Sequence, residues 1–264
     1  MYALSYVKAK SVKEAADFLA SHPEAKLLAG GMTLIPTLKL RLAKPTHLVD
    51  IGGLAELRKI ELKAGKLVVG AGATHCEVSR SPVVRKAIPA LAELASVIGD
   101  PQVRNLGTIG GSIANNDPAA DWPAALVGCN ATVITSKRQL PAEQFFKGMY
   151  ETALGPHEIV TGVSFPIPKR AAYSKFPNPA SRFALVGVFV AQLADGAVRV
   201  AVTGAAPAVF RATAVETALA KSFTADAAKG AKVDAKGLNS DLHGSPEYRA
   251  HLIPVIAARA VAAA

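Results

Sequence analysis

Twice in the first half of the chain an apolar approach runs into two adjacent glycines and leaves through a hydroxyl residue. Lys26-Leu-Leu-Ala29 meets Gly30-Gly31-Met32-Thr33, and Thr108-Ile109 meets Gly110-Gly111-Ser112. Paired glycines permit a sharp reversal and let successive backbone N–H groups turn into one concavity, a nest for phosphate oxygens. A helical pattern resumes at Leu34, with Pro36 tolerated in its first turn, and adds the positive end of its dipole to the first segment. Each segment alone is more often an ordinary turn. As a pair they could converge and grip one diphosphate from both sides, a reading that spacing alone leaves even with that of two turns.

The periodicity around them divides the chain. Ser11-Val-Lys-Glu14 reads as a capping box for a short helix through Leu19, and Lys26–Ala29 and His47–Ile51 read as strands, giving a small β-α-β-α-β unit. From Leu57 the pattern changes to strand and turn: Leu57–Leu62, a turn at Ala64-Gly65, then Lys66–Ala71. A helical stretch from Arg80 to Ile98, split by Pro89, is followed by a loop over Gln102–Gly107. Further on come a helix from about Ala119 to Leu126 and strands at Ala131–Thr135 and Glu158–Phe165. Four prolines between Pro166 and Pro179 mark that stretch as a linker. Beyond it, Phe183–Leu193, an Asp195-Gly196 turn and Ala197–Thr203 form a strong hairpin signal. Thr213–Ala220 and Ser245–Ala263 read as helices, and Thr224–Lys236 as a mobile loop.

Several classes are excluded early. At 264 residues and 50% hydrophobic content the chain can build more than one core. The longest apolar run, Phe183 to Ala191, is half the roughly 18 residues that a spanning helix needs. Lys8, Lys10 and Lys13 occupy the place of a secretory signal's apolar stretch, so a cytoplasmic location is expected. The two cysteines, Cys76 and Cys129, are isolated and cannot furnish the four ligands of an iron–sulfur cluster. A net charge of +10 is spread over scattered basic pairs, so no nucleic-acid partner is expected; an anionic cofactor or acidic protein suits it better.

Other motifs are weaker. Gly70-Ala-Gly72-Ala-Thr-His75 imitates a truncated dinucleotide fingerprint, but His75 replaces the third glycine and Pro82 interrupts the following helix; it reads as a strand and tight turn. The six histidines show no metal spacing and are assigned to core or surface, with no metal expected. Asp117 and Asp121 follow the second glycine segment. They are candidates either for helix capping or for accepting hydrogen bonds from ribose hydroxyls or an adenine amine. No acid–base constellation is visible, which fits a protein whose cofactor carries the chemistry.

Leu28-Ala-Gly-Gly-Met-Thr-Leu-Ile-Pro36 with Lys39-Leu-Arg41, and above all the continuous segment from Ile98 to Asp121, resemble the FAD-binding subunit of molybdenum hydroxylases. These are the medium chains of aerobic carbon monoxide dehydrogenases and of bacterial xanthine, N-heterocycle and aldehyde dehydrogenases. The likeness extends to the C-terminal Ser245–Leu252. It implies an α+β chain with a two-part FAD-binding domain of the vanillyl-alcohol-oxidase (PCMH) type, residues 1–55 and 56–168, and a smaller C-terminal α+β domain, residues 169–264. The cofactor residues it implies are Ala29, Gly30, Gly31, Met32, Thr33, Leu34, Thr108, Ile109, Gly110, Gly111, Ser112, Asp117 and Asp121, with Lys175 near the flavin ring. The chain departs from the family pattern at Met32, where relatives usually carry a polar residue, and at Phe176-Pro-Asn-Pro179. The implied role is electron transfer from the iron–sulfur clusters of a small subunit through FAD to an external acceptor. Substrate is oxidised on a molybdopterin large subunit, within a dimer of heterotrimers. A free-standing FAD-dependent reductase of the same superfamily is the alternative; it needs its own substrate pocket and proton donor, and the sequence presents neither.

Overall fold

The computed structural model describes residues 1–264 and contains three principal sheets. The first is parallel: Ser5–Lys8 and Lys26–Leu28 both pair with His47–Asp50. Ser5–Lys8 is the first strand of the β-α-β-α-β unit, to which the sequence pattern gave no residues. Helix Val12–Ser21 opens as expected, with Ser11 accepting from the Glu14 N–H at 3.1 Å, while the Glu14 carboxylate reaches back to Lys10 N rather than closing a full capping box. Such an N-cap is worth about 1 kcal/mol. Leu19, Val49, Ile51, Leu54 and Leu57 close a small core beneath this unit.

The second sheet has five antiparallel strands with Val160–Pro166 at its centre. Ile60–Lys63 and Lys66–Gly70 form a hairpin through Ala64-Gly65, both at positive φ (49° and 71°). That two-residue turn matches the twist of its strands. The expected stretch from Arg80 to Ile98 is two short helices, Pro82–Ala87 and Pro89–Ser96, each with its proline at the first position, and a further helix, His75–Arg80, precedes them. The expected loop 102–107 is instead helix Pro101–Leu106, capped by Asp100, whose carboxylate accepts from Val103 N at 2.8 Å.

The third sheet corrects the expected linker. Arg170–Pro177 is a full strand along Ala184–Gln192, and only Ile167–Lys169 bridge the two sheets. Proline at the last position of an edge strand removes no interior ladder bond, so proline content misled the sequence reading. Ala184–Gln192 is buried on both faces. Val186, Val188 and Val190 pack under helix Pro246–Ala263, whereas Phe189 and Ala191 enter the core of the second unit. This two-sided burial explains the apolar run without a membrane; no helix is long and apolar enough to cross one. The expected mobile loop 224–236 contains a short helix, Ala225–Lys229, whose Ala228 is part of the same core.

Candidate FAD-binding site

A cavity of about 910 Å³ lies between the parallel unit and the antiparallel unit, with Phe183 from the third at its edge. Twelve of the fourteen candidate residues line it. Ile109 and Lys175 are the exceptions: Ile109 is fully buried in the hydrophobic core, and Lys175 stands behind Asp121.

The two glycine segments meet. A Cβ on Gly30 would lie 1.8 Å from the Leu106 carbonyl oxygen and 3.0 Å from the Cα of Gly107, so the first segment is seated directly on the approach to the second. Gly31 has φ +72°, the left-handed conformation that turns the chain toward helix Leu34–Lys39. The backbone N–H groups of Ala29 through Thr33 donate to nothing within the chain. Buried or partly buried amides without acceptors are rare, and a consecutive row of them lining a cavity fits an anionic ligand.

The second segment is built differently, and the expectation of a matching amide nest is corrected here. Ile109–Asn115 is the start of a helix, not a loop. Ile109 N donates to Ala73 O at 3.1 Å, Gly110 N to Ala71 O at 2.8 Å, Gly111 N to Thr108 Oγ1 at 3.0 Å and Ser112 N to Thr108 O at 3.0 Å. Its amides are therefore spent. What it offers is the Thr108 and Ser112 hydroxyls and the bare face of Gly111, where a Cβ would meet only Thr108 Oγ1. Gly110 serves packing, since a Cβ there would lie 2.5 Å from that of Ala71.

The imitation fingerprint at Gly70-Ala-Gly72 is a strand and turn, as its sequence suggests. Its glycines admit the Leu57 backbone, whose carbonyl oxygen would be 2.2 Å from a Cβ on Gly70. A helix does follow it, opening at His75 behind a complete capping box of Thr74 and Glu77.

Asp117 accepts from Ala119 N at 2.9 Å and from the Tyr150 hydroxyl at 3.2 Å. Asp121 precedes helix Trp122–Gly128 without capping it through its side chain. Its carboxylate accepts from Tyr173 Oη at 2.5 Å and pairs with Lys175 Nζ at 3.1 Å, both partners coming from the third sheet. Burial pushes the Asp121 carboxyl up, against the pull of Lys175 and Tyr173, and burial beside that carboxylate raises the Tyr173 phenol well above its ordinary value. Gly187 makes the cluster possible, for a Cβ there would lie 2.3 Å from the Tyr173 hydroxyl. Asp121 therefore lines the cavity, with Lys175 paired to it from behind.

The sequence places His75, like the other histidines, in the core or on the surface, without a role at the site. His75 is 4% exposed and also lines the cavity, accepting at Nδ1 from Trp122 Nε1 at 3.1 Å. Burial, with the charge of Arg104, lowers it to about 4, so the ring is neutral near pH 7. Arg58 and Phe183 are further lining residues without a sequence signal.

Residues 2–168 match the family described as the FAD binding domain in molybdopterin dehydrogenase, and residues 171–264 match the CO dehydrogenase flavoprotein C-terminal domain. The chain belongs to the FAD-binding medium subunits of molybdenum hydroxylases. It is an oxidoreductase subunit, and its cofactor is FAD. Among its relatives, the nicotine 6-hydroxylase medium subunit of Paenarthrobacter nicotinovorans is 34% identical, over 98% of this chain and 96% of that one. The carbon monoxide dehydrogenase medium chain of Hydrogenophaga pseudoflava is 36% identical over the same shares. Among solved structures, quinoline 2-oxidoreductase from Pseudomonas putida 86 superposes with a TM-score of 0.90 at 32% identity, covering 100% of this chain and 97% of that one.

Proposed function

We propose that this medium subunit is the electron outlet of a molybdenum hydroxylase assembly. It takes electrons from iron–sulfur clusters on a small subunit and delivers them through FAD to an external acceptor, while a molybdopterin large subunit oxidises the substrate. We further propose a cytoplasmic dimer of heterotrimers, with unit boundaries near residues 55 and 168. When bound, FAD supplies the exchange between single-electron carriers and a two-electron acceptor.

The observation that carries the cofactor reading is the row of unpartnered amides from Ala29 to Thr33 beside the Thr108 and Ser112 hydroxyls. In this reading the amides hold one side of the diphosphate and the hydroxyls the other, and Gly111 keeps the floor open. Asp117 and Asp121 face the polar rim of the cofactor. The Asp121 carboxylate fixes Lys175, so that the ammonium is held as part of a buried pair rather than free in the cavity. The division of labour between subunits is supported by the cysteines. Cys76 and Cys129 are too few for the four ligands a cluster takes, and Cys129 is fully buried. The clusters then belong to another chain.

The test is purification of the assembly from its native source followed by anaerobic addition of the large subunit's substrate. Bleaching of the flavin absorbance, dependent on the iron–sulfur subunit, supports the reading. A yellow chain that never co-purifies with iron and molybdenum subunits argues against it.

A further inference from the structure

We propose that His75 is a side-chain component of the diphosphate site, its Nε2–H donating to an oxygen of the bound dinucleotide at the seam between the two glycine segments. The inference rests on the FAD reading above and adds to it a residue outside both glycine motifs.

Two hydrogen bonds hold the residue, one at its backbone and one at its ring. His75 N donates to Gly107 O at 2.9 Å, which ties the start of its helix to the approach of the second segment. Trp122 Nε1 donates to Nδ1 at 3.1 Å, and an indole nitrogen is a donor only. Nδ1 must therefore carry the lone pair, which puts the ring proton of the neutral imidazole on Nε2. Trp122 is fully buried, so this orientation is held by the core.

Nε2 then has no acceptor within the chain, although the residue is 96% buried (4% exposed) and borders the cavity. Its direction is given by the glycines around it. A Cβ on Gly107 would lie 2.9 Å from Nε2, and one on Gly30 would lie 3.0 Å from the Cα of Gly107. These close approaches place the Nε2 edge of the imidazole against Gly107, beside the point where the first segment, with its free amides, packs on the second, and the cavity that His75 lines reaches it there. Nε2 is thus a donor on the cavity wall with no partner in the chain, and an oxygen of a ligand lying there can accept from it. Since the ring is neutral, it adds a directional donor and no charge; the lysine of a P-loop, by contrast, contributes a point charge.

The experiment is titration of the full apo chain with FAD, ADP and riboflavin, in the wild type and in His75→Phe and His75→Gln. Phe keeps a ring but no donor; Gln returns an N–H near the position of Nε2. The inference expects His75→Phe to weaken FAD and ADP by about tenfold, riboflavin to be unaffected, and Gln to recover most of the loss. Unchanged FAD and ADP affinities in a folded variant, or a parallel fall for riboflavin, would overturn it. Independently of any variant, ¹⁵N-histidine spectra of the wild type should show the Nε2–H tautomer and a shift of that signal on adding ADP; no shift counts against the assignment. If the wild type binds neither FAD nor ADP, the FAD reading itself falls.

Discussion

In the first glycine segment the amides from Ala29 to Thr33 bond to nothing in the chain, whereas in the second those of Ile109, Gly110, Gly111 and Ser112 all have acceptors. The two stretches look alike in sequence: two glycines and a hydroxyl residue before a helix. The difference arises from their neighbours. The second segment runs antiparallel to the exit of strand Lys66–Gly70, so Ala71 and Ala73 take its first amides, and Thr108 caps the rest. The first segment leaves the edge of a three-stranded sheet and has no strand beside it to accept. Thr33 makes no side-chain cap. One segment thus presents main-chain donors and the other presents hydroxyls from a prebuilt frame.

The largest effect is expected where the two touch. Gly30→Ala forces a methyl to 1.8 Å from the Leu106 carbonyl oxygen and should cost about 3 kcal/mol or more, read as a fall in melting temperature together with loss of bound flavin. A variant as stable as the wild type would break the claim that the segments are in contact.

Of comparable size is the pH dependence that His75 brings to the closed segment. The unfolded chain takes up a proton near pH 6.5, but the folded chain refuses it until about 4. More protons on the unfolded state means that stability rises with pH through this window. Acidification from about pH 6.5 to about 4 should therefore remove about 3 kcal/mol in the wild type that His75→Phe does not lose, measured by denaturant titration at each pH.

Gly111→Val sharpens the comparison inside the second segment. Its Cβ meets only Thr108 Oγ1, at 2.9 Å, which that hydroxyl yields by a small shift of the cap, so the variant should lower FAD affinity by roughly 100-fold (about 2.7 kcal/mol) while leaving the apo chain folded. Gly110→Ala, aimed at Ala71, should do the reverse and unfold the chain before it touches the cofactor. Smallest is the contrast between threonines. Thr108→Ala removes a helix cap and should cost about 1 kcal/mol, whereas Thr33→Ala should change stability by less than about 0.5 kcal/mol. Equal costs would mean that the two hydroxyls are used alike.

Much of this was legible before the structure. The glycine pairs, the helix at Leu34, the Ala64-Gly65 turn and the Ser245 cap are local features, and local chemistry decides them. Resemblance supplied what spacing did not, namely FAD and the family. The errors fall where neighbours decide. Pro166–Pro179 reads as linker by composition, yet Arg170–Pro177 is a strand because Ala184–Gln192 lies beside it. Ile109 was grouped with the site residues through its motif, but the first turn of a helix directs its side chain into the core. Lys175 is tied to Asp121 across 54 residues of sequence, and no periodicity reports such a pair. Nothing in the sequence distinguishes amides bonded to Ala71 and Ala73 from amides left free, because the asymmetry between the segments is set by their tertiary neighbours.

That asymmetry is measured most directly by amide hydrogen exchange of the full chain, resolved by residue, with and without FAD. The account predicts that the amides from Ala29 to Thr33 exchange quickly in the apo chain and gain protection on binding, while those of Ile109 to Ser112 are protected from the outset and change little. Protection appearing only at Ile109 to Ser112, with Ala29 to Thr33 unaffected by FAD, would contradict it.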